Sequence, residues 1–121
     1  MLKFEVIGLD KTKANLHKLS KRQLNSAQNA IGEAGFFIEG EVKESIAGHR
    51  VEKRSVDTGR FLNSIATEHR GLRADVGTKV PYSVYLEYGT IDIAPRMHFR
   101  NSLARNKNKI KDFVKKAIEE T

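Results

Sequence analysis

A chain of 121 residues with 39% hydrophobic content can close one compact core and is too short for two ordinary domains. Charged residues make up 31% of it, yet apolar positions recur periodically, so the pattern is that of a small folded domain with much surface rather than of disorder. The absence of cysteine excludes disulfide staples and thiolate metal sites, and the formal charge of +7 either serves solubility or favours an anionic partner: nucleic acid, an anionic surface or an acidic protein. Residues 1–10 hold no apolar signal core and no later segment is long and apolar enough to span a bilayer. A soluble protein without a signal peptide or a membrane partner is therefore expected.

Leu2, Phe4 and Val6 alternate with Lys3 and Glu5 and run into Ile7 and Gly8, which predicts a strand over 2–8. Asp10 offers a helix-capping oxygen and no proline occurs over 11–47, so one long helix or two successive helices are predicted there. Leu24, Ala27, Ile31, Ala34 and Ile38 recur in steps of three and four and define the buried stripe of the main core helix. Gly32 and Gly35 beside that stripe permit either a close approach of another element or a kink. Residues 48–57 are charged and aperiodic, and a mobile, exposed connection is expected that becomes ordered against a neighbour.

Asp57 or Thr58 can cap a short turn of helix carrying Phe61, Leu62 and Ile65, after which 64–70 and 72–78 predict a β-hairpin about Gly71. Beyond Pro81, the spacing of Tyr82, Tyr85, Leu86 and Tyr88 predicts a short helix stopped by Gly89, with a turn at Gly89-Thr90. The three tyrosines suit a subunit interface or an aromatic core. Finally, Phe99, Leu103, Ile110, Val114, Ala117 and Ile118 fall near one helical face, with Arg105, Lys109, Lys115 and Lys116 turned away. The succession predicts an α+β fold in a single domain over 1–121: a small antiparallel sheet packed against a long N-terminal helix and a C-terminal helix.

Chemistry is sparse. His17, His49, His69 and His98 share no ligand spacing and are expected to be solvated, so no metal is expected. Gly77-Thr78-Lys79 lacks the glycine spacing of a phosphate loop, no nucleophile elbow occurs, and Glu87 and Asp92 pair only in sequence. A non-enzymatic protein without a cofactor follows, a minor nuclease being the enzymatic rival that lacks its carboxylate cluster. Arg100, Arg105, Lys107, Lys109, Lys111, Lys115 and Lys116 could meet phosphates or form a solvated face; Phe99 and Phe113, the aromatics among them, are assigned to the apolar side.

Three segments then carry a resemblance: Val56-Asp57-Thr58-Gly59-Arg60-Phe61-Leu62-Asn63-Ser64-Ile65, Val76-Gly77-Thr78, and Tyr82-Ser83-Val84-Tyr85-Leu86-Glu87-Tyr88-Gly89-Thr90. In this order they resemble the gene-product-ten tail-component family of long-tailed phages, over roughly residues 56 to 104. The family's following turn is present as Ala94-Pro95-Arg96-Met97-His98-Phe99, with proline and arginine exchanged relative to the usual order. The resemblance implies a structural virion protein, assembled in the host cytoplasm and located in the tail or neck. It would form or complete a homo-oligomeric ring at the head-proximal end, with six copies matching tail-tube symmetry and other tail and head-completion proteins as partners. Thr58, Gly59, Leu62, Ser64, Ile65, Gly77, Thr78, Tyr82, Tyr85, Glu87, Tyr88, Gly89 and Thr90 are the motif and interface candidates. Lys109, Lys115 and Lys116 are candidates for a face toward DNA or an acidic partner. The rival of another class is a small basic DNA-binding protein that uses the C-terminal helix.

Overall fold

The computed structural model describes residues 2–9, 19–55 and 59–120. The expected Asp10 cap with the helical start after it, His17, and the expected Asp57 or Thr58 cap lie outside these residues. Strand β1 (Leu2–Gly8) is followed by helix α1 (Lys21–Ile46), a short helix α2 (Arg60–Ser64), strands β2 (Ala66–Arg70) and β3 (Arg73–Thr78), a short helix α3 (Ser83–Tyr88) and helix α4 (His98–Glu119). This is the α+β arrangement the alternation of periods predicts.

Helix α1 starts at a capping box. Ser20 Oγ accepts from the Gln23 amide at 3.1 Å while Gln23 Oε1 accepts from the Ser20 amide at 3.0 Å, which satisfies two amides that the first turn leaves without partners. The predicted stripe is inside, with Ala27, Ile31, Ala34 and Ile38 buried, and it continues through Val42 and Ile46. Of the two readings of Gly32 and Gly35, close approach is the one realised. A Cβ on Gly35 would stand 2.7 Å from Thr67 Cγ2 and 3.0 Å from Ala74 Cβ, and Thr67 Oγ1 donates to the Gly35 carbonyl at 3.1 Å. The hairpin thus rests on the helix backbone itself.

The sheet has the order β1-β3-β2, antiparallel throughout, with Phe4 opposite Val76 and Thr67 opposite Val76 on the other side. A two-residue loop joins β2 to β3, with Gly71 at its first position at φ +55, as a tight right-twisted hairpin requires. One sheet face carries Ala74 and Val76 against α1; the other carries the exposed ion pair of Lys3 and Glu68 at 2.7 Å, of the kind that adds little stability, and that of Arg73 with the buried Asp75 at 3.1 Å.

Helix α4 lies along α1 and against β1, burying Phe99, Ile110 and Val114 as predicted, with Phe99 stacked on Phe4 at 5.3 Å between ring centres. Each such side chain removed from water is worth about 1.5–3 kcal/mol. One assignment on this helix is corrected: Phe113 is 43% exposed rather than in the core, because it sits one position before Val114 and off the Ile110–Val114 seam. Arg105 is exposed, as predicted, and its guanidinium also reaches back to Glu52. Among the described residues no helix is long and apolar enough to cross a membrane.

Candidate functional site

Two polar clusters anchor the start of α4. Met97 precedes the helix at φ +53 and has no side-chain oxygen to cap it. The missing acceptor comes from α3: Glu87, 1% exposed, accepts from the Phe99 amide at 2.9 Å and from the Arg100 amide at 3.0 Å, and its carboxylate also binds Arg100 Nε at 3.0 Å. A carboxylate at a helix N-terminus meets both unpaired amides and the positive end of the helix dipole. Arg100 closes the joint by donating to the Glu87 carbonyl at 2.6 Å and lying 4.6 Å over the Tyr88 ring. Glu87 therefore serves packing and capping.

The second cluster lies in the expected 48–57 connection, which is exposed at 48–51, 53 and 54 as its composition suggests but is anchored at Glu52. Glu52 is buried, and its carboxylate receives Arg105 through two nitrogens at 2.6 and 2.9 Å, Asn101 at 3.2 Å and Ser45 Oγ at 2.6 Å. Local composition reads as solvated, but the cation that neutralises Glu52 lies 53 positions away on α4. Burial alone would push this carboxyl up; the hydrogen bonds from Arg105, Ser45 and Asn101 with the Arg105 charge hold it at about 2.

His98, expected to be solvated, is wholly buried between two serines, Ser45 Oγ at 2.7 Å from Nδ1 and Ser55 Oγ at 2.7 Å from Nε2. Donor counting fixes its tautomer. The Ser45 hydroxyl proton goes to the Glu52 carboxylate, which can only accept, so Nδ1–H must donate to Ser45. Nε2 of the neutral ring then accepts from Ser55, whose oxygen receives Arg96 Nη1 at 2.8 Å. Burial pushes the imidazole down to about 4, with Glu52 opposing and Arg96 assisting. A serine, a histidine and a carboxylate share this chain of bonds, but unlike a hydrolase relay it interposes Ser45 between His98 and Glu52, and the adjacent groove, walled by Glu52, Lys53, Asp92, Arg96, Met97 and Asn101 among others, includes neither Ser55 nor His98. The chain of hydrogen bonds ties 45, 52, 55 and 98 together as a structural knot.

The other motif residues divide by role. Gly59 stands at φ +83 before α2, Leu62 and Ile65 pack into the core, and Ser64 Oγ donates to the Phe61 carbonyl at 2.6 Å. Thr78 Oγ1 lies 2.5 Å from Ser64 Oγ and accepts from the Val80 amide at 3.1 Å, joining the end of the hairpin to α2. Gly77 sits opposite Lys3, where a side chain would run into the Leu2 carbonyl. These positions hold the fold. Thr58 lies outside the described residues.

The tyrosines do not form a core. Tyr82, Tyr85 and Tyr88 are all exposed by about two fifths or more, Tyr85 by 57%, and Val84 and Ile93 join them at the surface. Gly89 caps α3 at φ +79, where its missing Cβ leaves room for the Ile93 carbonyl and the Pro95 ring. Thr90 then staples a turn: its amide donates to the Ile93 carbonyl at 2.8 Å, and its hydroxyl accepts from the Ile93 amide at 3.1 Å. At the tip of this turn Ile91 is 103% exposed. An apolar side chain held out by a hydrogen-bonded turn stays in water at a cost in hydration free energy.

Of the cations expected to face phosphates, Arg100 and Arg105 are committed to Glu87 and Glu52, and Lys109 lies 4.7 Å over the Phe37 ring. Lys115 and Lys116 are exposed. Among the described residues no group of three or more His, Asp or Glu could hold a metal ion. What the described residues build is an apolar surface at α3 and the turn that follows it.

The chain belongs to the family described as "Bacteriophage HK97-gp10, putative tail-component", which it matches over residues 10–89, about two thirds of its length. The match takes in α1, the hairpin and α3 up to Gly89; it reaches further upstream than the motifs alone suggested and stops before the turn with the exchanged proline and arginine. No curated protein and no solved structure matches the chain. The DNA-binding alternative gains no support from the family.

Proposed function

We propose that this chain, folded as one domain, is a non-catalytic virion subunit that forms or completes a homo-oligomeric ring at the head-proximal end of a phage tail. It meets its neighbours there through the α3 surface. Membership of a tail-component family supports the setting. The observation that carries the interface is the turn at Gly89-Thr90, which presents Ile91 in full beside three half-exposed tyrosines. Tyr82, Tyr85, Tyr88, Gly89 and Thr90 build that surface, while Gly59, Leu62, Ser64, Ile65, Gly77, Thr78 and Glu87 keep its support rigid. Head-to-tail contacts between two different faces close a ring, six copies matching a six-fold tube. The exposed Lys115 and Lys116, with Lys109, would turn toward an acidic neighbouring protein or passing DNA.

Complementation in the phage or prophage that encodes the protein tests this reading. A Tyr85→Ala, Ile91→Ser variant should leave heads and tails unjoined or tails unfinished, with infectious yield down by orders of magnitude. Normal yields of joined particles would overturn it.

A further inference from the structure

With the order β1-β3-β2, the sheet ends in two edge strands. Along an antiparallel pair the backbone groups of successive residues point alternately toward the partner strand and away from it. The tight turn at 71–72 makes Arg70 and Arg73 a bonded pair, so Arg73, Asp75 and Gly77 turn their groups to β2, and Ala74, Val76 and Thr78 turn theirs to β1. The bond from the Leu9 amide to the Leu72 carbonyl at 2.8 Å keeps the same phase. Thr67 and His69 on β2, and Lys3 and Glu5 on β1, therefore point their amides and carbonyls out of the sheet. Among the described residues none of these four amides has an acceptor. β2 is regular over its whole length, and β1 is regular over Leu2–Glu5 until a register shift between Glu5 and Ile7 ends the ladder. A regular open edge is a template for another strand.

We propose that successive copies join these edges, β2 of one subunit against β1 of the next, so that the sheet continues from subunit to subunit. This rests on the ring reading above and deepens it by naming both halves of the repeating contact. β1 and β2 both run antiparallel to β3, so a copy carried around an axis with the same sheet face inward brings its β1 parallel to β2. In a parallel pair each outward residue bonds to the two residues flanking the one opposite it, which limits the registers to steps of two. With His69 opposite the neighbour's Phe4, the outer sheet face sets Glu68 against the neighbour's Lys3 and Arg70 against the neighbour's Glu5. A step of two one way sets Glu68 against Glu5, and a step the other way sets Arg70 against Lys3. Charge therefore selects the first register.

The pairs inside one subunit are compatible with it. Lys3 reaches Glu68 at 2.7 Å and Arg73 reaches Glu5 at 3.6 Å, so each carboxylate would lie between a cation of its own subunit and one of the neighbour. Tyr88 stands beside β1, 6.5 Å from Phe4 between ring centres, so a neighbour whose β2 reaches this edge also comes up against the α3 surface. The two edges are different strands, which makes the contact heterologous, and its repetition closes a ring and leaves no edge open.

The chain has no native cysteine, so single cysteines report contacts cleanly. Glu5→Cys and Arg70→Cys, at side chains 50% and 84% exposed, are purified separately, checked for an unchanged melt, mixed and oxidised. The expected result is disulfide-linked dimer in the mixture and little in either variant alone. His69→Pro gives an independent reading, since it removes an outward amide and no ladder bond within the subunit; association should weaken about tenfold or more with the melt little changed. Efficient cross-linking of Arg70→Cys with Glu68→Cys overturns the proposal in favour of a two-fold β2 contact. If the unmodified protein sediments as an oligomer and the Glu5→Cys, Arg70→Cys mixture does not cross-link, the edges are not the joint, although the ring reading stands. A protein that sediments as a monomer at every attainable concentration sinks both.

Discussion

Two regions a few residues apart in sequence invert the usual partition of side chains in opposite ways. The knot of Ser45, Glu52, Ser55, His98 and Arg105 places polar and charged groups inside and satisfies them. The stretch 82–93 leaves apolar groups partly outside, Tyr85 and Ile91 the most, while Tyr82 and Tyr88 are half covered by Phe61 and Phe4. Each arrangement costs free energy on its own terms, the first through desolvation and the second through exposed apolar surface. The difference teaches where function resides. A buried network that is fully paired specifies shape, whereas an apolar surface held out by a paired backbone specifies a partner.

The knot breaks most severely at its carboxylate. Glu52→Ala strips Arg105, Asn101 and Ser45 of their shared acceptor and should lower unfolding free energy in urea by about 3–5 kcal/mol, the range for removing one partner of a buried pair. A loss under about 1 kcal/mol would mean that the 48–55 segment is the loose connection its composition suggests.

Acid should act on the same knot without mutation. His98 falls from 6.5 to about 4 in the folded chain, so between those values the unfolded state binds the extra proton and stability declines as pH drops, by up to about 3 kcal/mol once pH is below 4. Glu52, lowered from 4.5 to about 2, adds a second loss through the window between those two values. Urea midpoints from pH 7 to 4 should slope downward, and His98→Gln should flatten the upper part of that slope. A profile equally steep in the variant would contradict the assignment.

The second anchor of α4 is weaker. Glu87→Gln keeps one acceptor oxygen but points an amide at a backbone donor and discharges the partner of Arg100, for a loss of about 1–3 kcal/mol. It should also loosen the α3 surface, visible as faster amide exchange at residues 85–89. Unchanged exchange would separate the cap from the interface.

How much of this was open to sequence reading follows from where each signal lies. β1, the stripe of α1, the hairpin about Gly71 and the apolar seam of α4 are local periods, and local periods survive folding. The Ser20–Gln23 capping box that starts α1 is equally local, a Ser-x-x-Gln spacing legible in the sequence. Glu52 and His98 were misjudged because their partners sit 53 residues apart in the chain, as Ser45–His98 and Glu52–Arg105 do. One clue was available for Glu87. A helix introduced by Pro95-Arg96-Met97, with no Ser, Thr, Asp or Asn to cap it, must find its acceptor elsewhere, and the family motif supplies a lone glutamate shortly before. The tyrosines could be narrowed only to interface or core, since helical spacing does not say which side of a short helix has a neighbour.

At the small end of the scale, replacing Lys109, Lys115 and Lys116 by glutamine should leave stability within about 0.5 kcal/mol, because exposed charges contribute little. Thermal melts check this, and particle assembly by the same variant asks whether that face meets a partner.

The central claim is that the α3 surface exists for assembly and not for the fold. Sedimentation of the Tyr85→Ala, Ile91→Ser variant beside the unmodified chain, at concentrations where the latter is oligomeric and with melts recorded on the same samples, tests it most directly. The account predicts a monomer with an unchanged melting midpoint. An intact oligomer, or a midpoint lowered by several degrees, would contradict it.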